Sequence, residues 1–228
     1  MAKPHDHLAA LALVLLAATG CTTTIPGQAA PAPTPTIRPS ALLPVVAGWT
    51  AVISEGHGLA YDVPPGWKVL ATETAIGFQN EDSGDLVAAR AVATYREGHC
   101  VDANGKADGM RGMVGLSKLD PGPLVSEATN SAKRWAELAF RASGQAPAVT
   151  VDAPVTFTAN DLELTQATAR ATVPQPNSCT PAKGDIRTVV VRTGRIAATL
   201  VISTDRGVAD EVPESQLHHI VTSLRSIR

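Results

Sequence analysis

Three cysteines and six histidines are the residues of this 228-residue sequence best suited to chemistry. With Cys21 set aside, Cys100 and Cys179 have one pairing open to them, and in an exported chain that pair is expected as a disulfide. Closing a loop of about 80 residues would stabilise the fold by roughly 4 kcal/mol, because it restricts the unfolded chain. The alternative is a metal site using Cys100 and its neighbour His99, but no C-x-x-C and no second Cys/His cluster accompanies them. His57, between Gly56 and Gly58, is the best isolated candidate for a general base, against the plainer reading of a surface histidine in a glycine turn. No G-x-S-x-G elbow or S-x-x-K pair activates a serine locally, so a triad would have to assemble from distant positions. His218 and His219 are adjacent on a predicted helix and diverge by about 100°, too far to face one metal together. Asp102 to Asp108 has the outline of a calcium loop. Lys106 stands where a fifth oxygen ligand belongs and Ala107 where the glycine belongs, so a polar loop is expected. No P-loop or dinucleotide fingerprint is present, and no cofactor is expected.

The segment that would deliver these residues to a compartment comes first. Lys3 and the amino terminus precede Leu8 to Ala18, an unbroken apolar run of eleven residues. Spanning a bilayer takes about 20 such residues, so residues 1–20 read as a cleaved signal peptide. The run ends in Ala17-Ala18-Thr19-Gly20-Cys21, which resembles the lipobox of bacterial lipoproteins. That resemblance implies Cys21 as the first mature residue, carrying a diacylglyceryl group that anchors the protein to the membrane. An ordinary secretory leader with Cys21 a free thiol is the alternative. Residues 21–44 carry six prolines and almost no charge. They read as a semi-rigid polyproline II stalk, with threonines open to O-glycosylation.

Order is expected from Val45, giving a single domain over residues 45–228. Val45 to Ser54, Leu59 to Val63, Trp67 to Leu70, Ile76 to Gln79 and Leu86 to Tyr95 read as strands, with Pro64-Pro65-Gly66 a turn. Ala128, Ala132, Trp135, Leu138, Ala139 and Ala142 fall on one face of a helix over Ser126 to Ser143, with Ser126 as cap and Gly144 at its close. Val149 to Thr158 and Leu162 to Val173 flank Asn160-Asp161, a two-residue hairpin turn. Thr188 to Arg192 and Ile196 to Ser203 form a second hairpin. Leu217, Ile220, Val221 and Leu224 mark a final helix begun by Pro213 and Glu214, ahead of a short basic tail. Strands followed by helices that pack on them predict an α+β fold with a mainly antiparallel sheet.

The run Tyr61-Asp62-Val63-Pro64-Pro65-Gly66-Trp67-Lys68-Val69, the Trp135 helix and the close Ser223-Leu224-Arg225 resemble an uncharacterised family of actinobacterial lipoprotein domains. A looser architectural likeness, through the Pro-x-Gly-Trp turn and terminal helix, is to the PsbP-like fold and the LpqN-type lipoproteins. Neither resemblance implies an activity.

Composition sets the remaining limits. Hydrophobic residues at 44% with 18% charged allow a core, while a net charge of −2 and 4% aromatics give nucleic acid neither a basic face nor stacking platforms. The expected function is a tethered extracytoplasmic module that binds a protein or envelope component. The alternatives are an envelope hydrolase assembled around His57 and a carrier with an apolar cavity of several hundred Å³.

Overall fold

The computed structural model describes residues 36–102, 104–194 and 196–228. The signal peptide, the candidate lipid-attachment residue Cys21 and residues 22–35 of the stalk lie outside the described residues. Fourteen strands run β1 (Thr50–Ser54), β2 (Leu59–Val63), β3 (Trp67–Val69), β4 (Ile76–Gln79), β5 (Leu86–Tyr95), β6 (Cys100–Val101), β7 (Ala107–Asp108), β8 (Gly112–Lys118), β9 (Ala148–Val151), β10 (Val155–Ala159), β11 (Leu162–Thr172), β12 (Lys183–Arg192), β13 (Ala197–Arg206) and β14 (Arg225–Ser226). The α-helices are α1 (Leu124–Ala139), between β8 and β9, and α2 (Glu214–Thr222), before β14, and a short 3-10 helix over Pro39–Leu42 replaces the extended stalk expected there. Every named pairing is antiparallel, so the α+β expectation holds.

The large sheet has nine strands, ordered β10-β11-β12-β13-β8-β5-β3, with β9 also on β11 and β4 also on β5. Side chains alternate between its faces, and both faces are apolar. On β13, Ala198, Leu200 and Ile202 join a core shared with β1, β2 and α2. Val201 faces the other way, into a core shared with α1. The result is a sheet sandwiched between α1 and a second layer made of α2 and the small sheet β1-β2-β14.

Strand β5 changes faces partway along. Val87, Ala89 and Val92 belong to the α1 core and Ala91 and Ala93 to the other, because the register with β8 shifts between Arg90 and Ala93. Ala91 has φ +48° at this bulge, and the buried Tyr61 hydroxyl lies 2.5 Å from the Ala91 carbonyl and 3.1 Å from that of Val114. Burial pushes the Tyr61 hydroxyl well above its ordinary pKa. Facing the bulge on β8 is Gly115, where a Cβ would sit 2.9 Å from the Ala89 Cβ and 3.0 Å from Val92 Cγ2.

Several boundaries differ from expectation. Helix α1 starts after Pro123 and has no side-chain cap, so Ser126 lies inside its first turn. It stops at Ala139 because Phe140 turns its ring onto Gly184 of β12, where a Cβ would come within 2.1 Å of the ring. Gly144 instead shapes the following turn, φ +75°, closed by the Ala142–Gln145 bridge. The single strand expected over Val149 to Thr158 is broken at residues 152–154, where Pro154 has no N–H to donate to the ladder. Asn160 and Asp161, at φ +46° and +63°, do form the expected two-residue turn between β10 and β11. Strand β8 forms where no strand was expected, and the basic tail becomes β14, which pairs with β2.

Candidate functional site

Cys100 and Cys179 are joined by a disulfide, S–S 2.06 Å, between β6 and the loop leading into β12. His99 packs against Gly109 beside Cys100; burial, then the Arg111 charge, lowers its pKa. Among the described residues, no group of His, Cys, Asp and Glu is arranged to hold a metal ion. The Asp102 carboxylate accepts the backbone N–H groups of Asn104 and Lys106 at 2.9 and 2.8 Å, which spends it on closing the turn between β6 and β7.

His57 lies within 2.8 Å of a serine hydroxyl, that of Ser54, through Nδ1. Ser54 is three residues away in the same turn and only 5% exposed, so the bond closes the β1–β2 connection rather than presenting a nucleophile. Among the described residues no carboxylate bonds to His57, and no described cleft includes it. Burial, reinforced by Arg90, lowers its pKa. His218 and His219 are both exposed on α2, and His219 packs edge-on against Trp49 with ring centroids 5.8 Å apart.

Two charge clusters were not read from the sequence. Asp62, mid-strand in β2, and Arg225 of β14 form an ion pair at 2.8 Å with side chains 0% and 5% exposed. The other Asp62 oxygen accepts the N–H groups of Val45 and Val46 at 2.7 and 3.0 Å. Arg225 donates to the carbonyls of Ala41 and Leu43 at 2.8 and 2.7 Å, and Arg38 N–H to that of Ile227 at 2.8 Å. The last residues of the compositional stalk are thus held against the domain. A lone acid inside the apolar run Leu59 to Val63 was the available signal, since a buried charge needs a partner.

The second cluster borders a cleft of about 260 Å³ that opens to solvent where the C-terminal end of α1 meets the sheet. Its apolar walls are Phe78, Met110, Met113 and Phe140, and Arg111, Arg141, Asp108, Ser203 and Asp205 supply polar groups. Arg111, just before β8, donates to Asp205 of β13 at 3.0 Å, and its Nε lies 3.3 Å from Asp210 without making a hydrogen bond. Burial pushes the Asp205 carboxyl up to about 6, although Arg111 pulls it down. Arg141, just beyond α1, donates Nη1 to the Gly144 carbonyl, and its buried Nε has no partner among the described residues. The cleft therefore combines an apolar wall, two buried guanidinium N–H groups without a hydrogen-bond acceptor among the described residues and a carboxyl that burial raises to about 6. The described clefts hold 220 to 460 Å³, and each opens to solvent.

Fold and cleft define an antiparallel α+β domain, stapled by one disulfide, with a mixed apolar and charged cleft at one end of its central helix. Residues 43–228 match the model of a family described as a domain of unknown function (DUF8017), and the chain belongs to that family. The chain is also similar in structure to cyanobacterial PsbP from Synechocystis sp. PCC 6803, at 14% identity and a TM-score of 0.43, covering 79% of this chain and 94% of that one. The Ran-binding protein Mog1p of Saccharomyces cerevisiae is similar at 11% identity and a TM-score of 0.43, over 78% of this chain and 95% of the other. No curated protein matches the sequence.

Proposed function

We propose that this protein is a lipoprotein of the extracytoplasmic membrane face, tethered through Cys21, whose domain binds an envelope component without chemically altering it. The Cys100–Cys179 disulfide carries the reading. It suits an oxidising compartment, and it leaves Cys21 as the one cysteine outside a bridge, at the position the lipobox assigns to the lipid. Two acyl chains anchor a protein stably where one holds only reversibly, and no spanning helix is then required. The cleft beside α1 supports binding because its polar groups converge on an apolar wall, the usual composition of a ligand site. Mass spectrometry of the mature amino terminus tests the tether: a diacylated Cys21 is expected, and an unmodified residue in its place refutes it. Proximity crosslinking in intact cells tests the binding role, which falls if no envelope component is enriched and the purified protein turns over an envelope substrate.

A further inference from the structure

We propose that the cleft at the C-terminal end of α1 binds a small carboxylate bearing a short apolar tail, with its head on Arg141 and its tail on Met110, Phe78 and Phe140. The inference deepens the binding role and rests on it. A guanidinium N–H that is buried without an acceptor is costly, and Arg141 and Arg111 each keep one at the cleft, so an acceptor from outside completes the site. A planar carboxylate suits a guanidinium better than a neutral oxygen does, because it accepts through two oxygens at once. The wall supplies the rest: two methionines, which adapt to an irregular tail, and two aromatic rings. About 260 Å³ accommodates a tail of several carbons and excludes a diacyl lipid.

Charge at the cleft sets a pH dependence. Asp205 faces Arg111 from the residue before β8 and Asp210 from the loop after β13. Arg96 lies 3.8 Å from Asp210, while Asp108 and Arg141 line the same opening and His99 sits behind Gly109. With Asp205 ionised, the carboxylates Asp108, Asp205 and Asp210 balance the cations Arg96, Arg111 and Arg141. Once Asp205 takes up a proton the cleft carries a net positive charge, so a carboxylate binds more tightly as pH falls through about 6.

The chain offers its own probes, because Met110 and Met113 are its only methionines besides Met1 and both line the cleft. Hexanoate is titrated into full-length protein carrying ¹³C-methyl methionine, with hexanol as the uncharged control of equal tail length. Both cleft methyl resonances are expected to move saturably with hexanoate and not with hexanol. Affinity is expected to rise between about pH 7.5 and about pH 5.5, a range over which hexanoate remains largely ionised. Arg141→Gln should weaken binding about tenfold, and Arg141→Lys, which keeps the charge without the planar fork, should fall between. Equal response to hexanol, silence of both methyls, or unchanged affinity in Arg141→Gln overturns the proposal. The comparison of hexanoate with hexanol needs no variant, so it decides even if Arg141→Gln fails to fold. A missing lipid on Cys21 would sink the tether and leave this titration unaffected.

Discussion

Asp205 and Asp62 are both buried carboxylates beside an arginine, yet their surroundings give them different roles. Asp62 has an arginine partner and two backbone N–H donors, so its charge is fully engaged. Replacing it with Asn leaves Arg225 buried against a weaker partner, and a loss of about 3 kcal/mol or more is expected in urea unfolding. Asp205 has Arg111, but burial outweighs that attraction and lifts its carboxyl from 3.8 to about 6. The folded state therefore holds this proton more tightly than the unfolded chain does. Its contribution to stability grows as pH falls through about 6 and is complete below the unfolded value. Compared with Asp205→Asn, the wild-type unfolding midpoint should gain ground between about pH 7.5 and about pH 5, and a constant difference would refute the assignment. Beyond the lone acid in the run Leu59 to Val63, neither role was legible beforehand, because the arginine that completes each acid lies far away along the chain.

Elements whose information is local matched the sequence well. Strands β2, β4 and β5 and the Asn160-Asp161 turn fall where residue type and alternation put them. The turn also reaches outward, since the Asn160 side chain donates to the carbonyls of Thr222 and Leu224 at 2.8 and 3.1 Å and so ties the β10–β11 hairpin to the end of α2. Asn160→Gly keeps the positive φ and loses only those bonds, while Asn160→Ala adds a backbone penalty of about 1 to 2 kcal/mol. Thermal melts should rank wild type above Gly and Gly above Ala; an Ala variant equal to Gly would show the backbone conformation to be unimportant. Strand β8 escaped notice for the opposite reason. Gly112 and Gly115 lower its strand propensity, and their value lies in close approaches that no local pattern displays, of β5 to Gly115 at the bulge and of β13 and Val212 to Gly112. The ends of α1 were misplaced in the same way, since Phe140 leaves the helix to fill a notch on β12 that only the packed sheet creates.

Across the whole molecule, two long-range ties close the fold. The Arg225–Asp62 pair gathers the incoming segment 38–46 and the last strand onto β2. The disulfide joins residues 79 apart in sequence, fastening the β6–β7 hairpin beside the cleft. Replacing both Cys100 and Cys179 by Ser should lower unfolding free energy by about 4 kcal/mol in the chain-entropy account. Reducing agent should destabilise the wild type and leave that double variant unchanged. A reductant effect of equal size on both proteins would mean the bridge is not what the reagent acts on.

The amino-acid order by itself determined the α+β class, most strands, the Trp135 face of α1 and the identity of the two paired cysteines. These follow from periodicity, turn chemistry and the small number of thiols, all of which act over short distances or by simple count. Tertiary structure alone decided that Asp62 meets Arg225, that Arg111 meets Asp205 and that Arg141, at the cleft, keeps a buried donor without a partner among the described residues. Such features depend on which strands become neighbours and on how far burial removes each charge from water, and neither is written in any local stretch of the chain.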